Sequence, residues 1–171
     1  MIQDLESFRL GQSAEDLVLS DSTECREVSA ALARQAHRTL DILSHALDAS
    51  LYDNEPFLGA VKELATASRQ SQVRVLVQQP DKAVKNGHRL IELARRLTSH
   101  IEIRQVHEDF SEVIEAFLVA DVDGFVHRKN AARYEAMANF HAPNQARMLL
   151  QLFDEIWEKS TVPTELRRLH L

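Results

Sequence analysis

One cysteine, Cys25, in a chain of 171 residues excludes an internal disulfide and any metal site built from clustered thiolates. The four glycines stand singly, so there is no glycine-rich loop to cradle a phosphate. No apolar run approaches the roughly 18 residues that a membrane span needs. The opening MIQDLESFRL has neither the basic patch nor the apolar stretch of a secretory signal. Together these absences predict a reducing, cytoplasmic setting. Eight histidines are present, but none falls at a ligand spacing on a single helix, so neither a metal nor a cofactor is expected.

Positive charge is in short supply. Twenty Lys+Arg against 26 Asp+Glu leave a net charge of −6. That balance argues against a nucleic-acid binder that uses its whole surface, although a local basic patch remains open. What is there is ordinary for a globular chain: 44% hydrophobic and 27% charged residues, enough for one domain with a substantial core.

The most informative stretch is VIEAFLVADVDGFVHRK, residues 113–129. Residues 114–120 read as a buried strand, because the apolar run is too continuous for a half-exposed strand and too short for a helix. Asp121-Val-Asp-Gly124 then makes a tight turn, with the glycine expected to accept positive φ, and a short strand ends in His127-Arg128-Lys129.

The rest of the chain supplies layers around this hairpin. Residues 1–21 are acidic and lack a sustained period, so they predict a weakly ordered arm, docked if at all through Leu17, Val18 and Leu19. A single domain is expected over 22–171. A helix starts near Asp21, whose carboxylate suits the N-cap, and runs to about 37. TLDIL (39–43) and VRVLV (73–77) are strands, and IEIRQV (101–106) is a third with alternating faces. Between them, Asn54-Glu-Pro56 opens a helix with Phe57, Leu58, Val61, Leu64 and Ala65 on one stripe, and a second helix spans 82–98. Residues 131–138 fit either a short helix or a loop carrying Tyr134. Pro143 starts a strong final helix, and a tail with the basic pair Arg167-Arg168 follows. Strands alternating with helices predict an α/β fold: a mainly parallel sheet with an added hairpin and helices on both faces.

This order of elements resembles the phospholipase D superfamily over residues 24–160. The parts that carry the likeness are VRVLV, GHRLIELARRL, IEIR, FLVADVDG and the closing FDEIW helix. The chain is also similar to a bacterial domain of uncharacterised role that often follows a GNAT acyltransferase domain. Active phospholipase D members carry His-x-Lys, four residues, then Asp, with Gly-Ser-x-Asn downstream. The resemblance implies a nucleophilic histidine that forms a phosphohistidine, with lysine and asparagine on the phosphoryl oxygens. Two copies of the motif normally meet, so a homodimer is expected of a chain with one.

Both possible registers are damaged. In the first, Asp121 is the motif aspartate, and Ile114 and Ala116 stand where histidine and lysine belong. In the second, His127 and Lys129 form the His-x-Lys, Tyr134 takes the aspartate position, and His141-Ala-Pro-Asn144 replaces Gly-Ser-x-Asn. Strand order favours the first register, so a chemically silent member of the fold is expected.

Several residue groups remain as binding candidates, each with an ordinary reading beside it. His127, Arg128, Lys129 and Arg133 form the densest positive cluster, either a phosphate grip or a solvated strand end. Lys82, Lys85, Arg89 and Arg96 make a basic helix stripe, suited to an acidic partner or simply to solvent. His88 and Arg95 flank that helix on its apolar side. Tyr52, Asp53 and Asn54 lie just past the first strand, where α/β ligands bind, or else cap a helix and fill the core edge. Asp121 and Asp123 are a carboxylate pair or turn formers. Ser44-His45 lacks a placed acid for a triad.

Three functions follow. The first is a non-catalytic binding or regulatory module for a protein partner or a phosphate-bearing ligand. The second is a metal-independent phosphodiesterase or nuclease that assembles His127, Lys129 and Asn144 in a dimer. The third is nucleic-acid binding through the 82–96 helix face.

Overall fold

The structure is a computed structural model and describes residues 2–167; Arg168 of the tail's basic pair lies outside them, as does the side chain of Arg167. The strands are β1 (Leu17–Leu19), β2 (Thr39–Ser44), β3 (Gln72–Val77), β4 (Ile101–Gln105), β5 (Ala116–Ala120), β6 (Gly124–Arg128) and β7 (Ala136–Asn139). They form one seven-stranded sheet in the order β1-β7-β6-β5-β2-β3-β4. The helices are α1 (Ser22–Gln35), α2 (Ala49–Tyr52), α3 (Glu55–Ala67), α4 (Asp81–Lys85), α5 (Arg89–Arg96), α6 (Pro143–Lys159) and α7 (Thr164–Arg167).

The sheet has two halves. β2, β3 and β4 pair in parallel, joined by helical crossovers. The pairs β2–β5, β5–β6, β6–β7 and β7–β1 are antiparallel. The layered α/β architecture is the expected one, with the antiparallel part extending further than a single added hairpin. One face packs Leu40, Ile42, Val75, Leu118 and Val126 against α1, α3 and α5. The other packs Leu43, Leu76, Phe117 and Val119 against Phe153 and Ile156 of α6.

Caps fall where short polar side chains predicted them. Asp21 accepts from Glu24 N at 2.9 Å, and Asn54 from Phe57 N at 3.0 Å, each satisfying an orphan N–H of a first helical turn.

Several expectations are corrected. The acidic N-terminal segment docks through Leu17–Leu19, which form β1 against β7, and it is tied down further than expected: Leu10 N donates to Gln35 Oε1 and Gly11 N to Phe140 O. The central strand begins at Ala116, not Ile114, because Ile114 O is taken by Ala131 N and leaves the ladder. The expected helix over 82–98 is broken into α4 and α5 by Gly87 at φ 65°. The loop after β2 contains α2. Residues 136–139 form a strand, because β6 and β1 supply pairing partners on either side.

The hairpin turn is also built differently. Its two left-handed residues are Asp121 (φ 54°) and Val122 (φ 57°), and Asp123 N closes it on Ala120 O at 3.0 Å. The Asp121 carboxylate offsets the cost by accepting His37 N and Arg38 N at 2.8 Å and Thr39 N at 3.0 Å. Gly124 is needed for space instead: a Cβ there would lie 2.6 Å from Leu10 Cδ1 and 2.9 Å from Leu32 Cδ2.

Candidate functional site

Ligand crevices in open α/β sheets lie outside the carboxyl ends of the parallel strands. Here that edge is formed by Ser44, Val77 and Gln105. The antiparallel register brings the start of β5 and the end of β6 to the same edge, since Leu43 faces Phe117 and Ala116 faces Arg128. Asp121 is at the far end of β5.

Two cavities open along this edge. The first, about 460 Å³, is lined by His45, Gln78, Gln79, Gln105, His107 and Lys159. The second, about 320 Å³, is lined by His127, Lys129, Asn130, Arg133, Glu135 and Met137. Residues 113–115 bond to both sides: Val113 O accepts from Gln78 Nε2, Ile114 O from Ala131 N, and the Glu115 carboxylate from the His127 ring at 2.6 Å. Sequence reasoning missed the first cavity. Its signal was the polar residues that follow two apolar strands directly, His45 after TLDILS and Gln78-Gln79 after VRVLV.

The residues at the catalytic positions of the first register are chemically inert. Ile114 is 63% exposed and Ala116 is buried. Neither can attack phosphorus or donate to an oxyanion. The residues of the second register do not meet within one chain. His127 lies near the end of β6, whereas Ala142 N bonds Asp123 O just before β6 begins, and Asn144 sits beyond it on the first turn of α6. There the Asn144 carboxamide oxygen accepts from Arg147 Nη2 at 2.7 Å.

Strand alternation turns Arg128 to the face opposite His127. Its Nη1 donates to Ala131 O and Arg133 O, each at 3.2 Å, and its guanidinium carbon lies 5.3 Å from the centre of the Tyr134 ring. Tyr134 OH donates to Asp48 Oδ2 at 2.5 Å, and Ser50 Oγ donates to Asp48 Oδ1 at 2.8 Å. Cys25 Sγ donates to Tyr134 O at 3.1 Å. Burial pushes the Cys25 thiol up to about 11 and the Tyr52 hydroxyl up to about 12, with Arg128 pulling both the other way. Both groups are therefore neutral at physiological pH.

The remaining candidates have structural partners. Arg89 donates to Asp53 and Glu55, both at 2.7 Å, and these bonds hold its charge on. The basic stripe is thus interrupted at Gly87 and partly neutralised at Arg89. His88 is a buried N-cap that accepts from Leu90 N, and burial lowers its pKa. Tyr52 is core. Asp121 holds the turn, and Asp123 accepts from the His141 ring at 2.7 Å. His107, Glu108 and Asp109 bring three metal-type ligands close together, but Lys159 Nζ stands 3.7 Å from Asp109 Oδ2 and supplies a cation of its own.

A family model described as a domain of unknown function, DUF7931, matches residues 21–169. The chain belongs to that family. No curated protein matches it. Solved structures carry the DUF7931 chain further, to the fold. Nuc from Salmonella typhimurium, a phospholipase D family member, is similar at TM-score 0.57 and 14% identity over 87% of this chain and 99% of its own. NucT from Helicobacter pylori is similar at TM-score 0.62 and 8% identity, with the same coverage of 87% and 99%. TrmBL2, an archaeal chromatin protein whose structure shows a novel mode of DNA binding, reaches TM-score 0.63 at 12% identity over 86% of this chain. The chain spans 54% of TrmBL2. The fold is that of the phospholipase D family. Among the described residues, no helix is long and apolar enough to cross a membrane.

Proposed function

We propose that this DUF7931 domain is a non-catalytic binding module of phospholipase D fold that takes a phosphate-bearing ligand at the pocket of His127, Lys129 and Arg133. The observation that carries the reading is the pair Ile114 and Ala116, an exposed hydrocarbon and a buried methyl where the resemblance puts nucleophile and lysine. Without a nucleophile, a covalent phosphoryl intermediate has no atom to form on. Cationic donors on a short loop still suit a phosphate. Such a module acts by recruiting or regulating a neighbouring protein, as expected of a domain that resembles the companions of acyltransferases. The nucleic-acid reading loses ground to the break at Gly87 and to Asp53 and Glu55 on Arg89.

Bis-p-nitrophenyl phosphate, offered without metal, should show no turnover. ATP titrated at low salt should bind, and Lys129→Glu with Arg133→Glu should weaken it by about tenfold or more, as expected when two charge-assisted contacts become repulsive. Turnover that His127→Ala abolishes would overturn the reading in favour of the dimeric phosphodiesterase.

A further inference from the structure

We infer that Arg128, on the face of the sheet opposite His127, is a second oxyanion-binding group beside the proposed pocket, and that the Tyr134–Asp48 hydrogen bond is a latch that keeps it covered. The inference rests on the proposed binding of a phosphate-bearing ligand and adds how that binding is gated.

The first ground is an unmatched charge. Arg128 is 4% exposed, yet among the described residues no carboxylate stands within ion-pair distance of it. Its acceptors are two neutral carbonyls, both at 3.2 Å and both bonded by Nη1 alone. A guanidinium carries five N–H donors in a planar fork. Beyond these carbonyls the group hydrogen-bonds the neutral Tyr52 hydroxyl, and among the described residues no anion lies within ion-pair distance of its donors. Burying a cation without a counter-charge is costly, and an incoming oxyanion removes that cost while forming a bidentate pair.

The second ground is position. Arg128 is directly across from Ala116 in the β5–β6 register, at the carboxyl edge of the sheet. It therefore sits beside the small Ala116 side chain, one strand away from the segment that carries Ile114.

The third ground is the cover. The Tyr134 ring lies over the guanidinium, and its hydroxyl is tied to Asp48, which also accepts Ser50 N and Ser50 Oγ at the start of α2. Tyr134 belongs to the same loop as Lys129, Asn130 and Arg133, which line the neighbouring cationic pocket. One of the carbonyls on Arg128 is that of Arg133 itself. A phosphate drawn in by Lys129 and Arg133 shifts the loop that holds both the cover and the carbonyls. Opening the Tyr134–Asp48 bond then frees the fork for the ligand.

The test is calorimetric titration of inorganic pyrophosphate into the full chain, with thermal unfolding run on each variant. Tyr134→Phe and Asp48→Asn loosen the latch while leaving Arg128 in place, and each should tighten binding by about tenfold, the size of one lost charge-assisted hydrogen bond. Arg128→Lys keeps a charge but loses the fork, and should weaken binding by about tenfold. Should that variant fail to fold, the two latch variants decide alone. Tighter binding in them, even where the wild type binds too weakly to measure, supports the latch. Pyrophosphate affinity unchanged in both, while Lys129→Glu still weakens it, overturns the latch and leaves the binding reading standing. No binding in any variant overturns both.

Discussion

Asp41 and Arg128 are both sealed against the sheet, 2% and 4% exposed, one in each half. In the parallel half, Asp41 on β2 faces Arg74 on β3 in register, and Arg74 Nε reaches its carboxylate at 2.7 Å. Arg74 also meets Asp154 of α6 at 3.0 Å and lies 4.7 Å from the centre of the Phe153 ring. In the antiparallel half, Arg128 faces the methyl of Ala116. Both charges cost desolvation energy, but only the first is matched inside the fold. A matched buried charge belongs to the scaffold, whereas an unmatched one points to something that arrives. On the proposed reading the two halves divide the work: the matched charge belongs to the parallel half, and the proposed binding groups belong to the antiparallel half.

The largest expected effect lies at the seam between the halves, where β2 meets β5. Asp121 anchors that seam by accepting three backbone N–H groups at the entry to β2. Asp121→Ala removes all three hydrogen bonds and puts a less tolerant residue at φ 54°. It should cost about 3 kcal/mol in urea unfolding. A loss under about 1 kcal/mol would mean that the halves hold together without this clasp.

A smaller effect, dependent on pH, should come from the matched charge. Burial raises the Asp41 carboxyl from 3.8 to about 6, and Arg74 pulls it down against that. The folded state thus holds the proton more tightly than the unfolded chain does. The stability that this provides is complete below about pH 4 and is lost as pH climbs through about 6. Relative to Asp41→Asn, the wild type should lose up to about 2 kcal/mol between pH 4 and pH 7. Parallel stability curves for the two proteins over that range would show that Arg74 fully compensates the burial.

The parallel half and its flanking helices were legible in sequence where a part carries a local signal, which the break at Gly87 and the short α2 did not. VRVLV is β3 with one residue added, Pro143 starts α6, and Asp21 and Asn54 cap the helices assigned to them. The antiparallel half depends on partners distant in the chain. β7 is a strand because β1, more than a hundred residues earlier, pairs with it, and no propensity in AMAN announces this. The turn glycine was rightly singled out for the wrong reason, since the crowding by Leu10 and Leu32 is tertiary. The candidate site was half legible. Lys129 and Arg133 do share a pocket with His127. Grouping Arg128 with them overlooked the period of two, which sends alternate residues of a strand to opposite faces.

The smallest effect is expected at the outer edge of the antiparallel half, where one face of the sheet has no helix over it. Val18 and Met137 are cross-strand partners on β1 and β7, 69% and 39% exposed, whereas Leu17 and Leu19 on the other side of β1 are buried. Among the described residues, α6 packs on β5, β2 and β6 and leaves this pair uncovered. Val18→Thr keeps the β-branched shape that suits a strand and removes little buried area, so it should change stability by no more than about 0.5 kcal/mol. Urea unfolding at several protein concentrations checks it. A loss above about 1 kcal/mol that grows with protein concentration would show this face to be buried in solution by a second copy. The antiparallel half would then be matched in apolar area by association, as the proposed ligand would match Arg128 in charge.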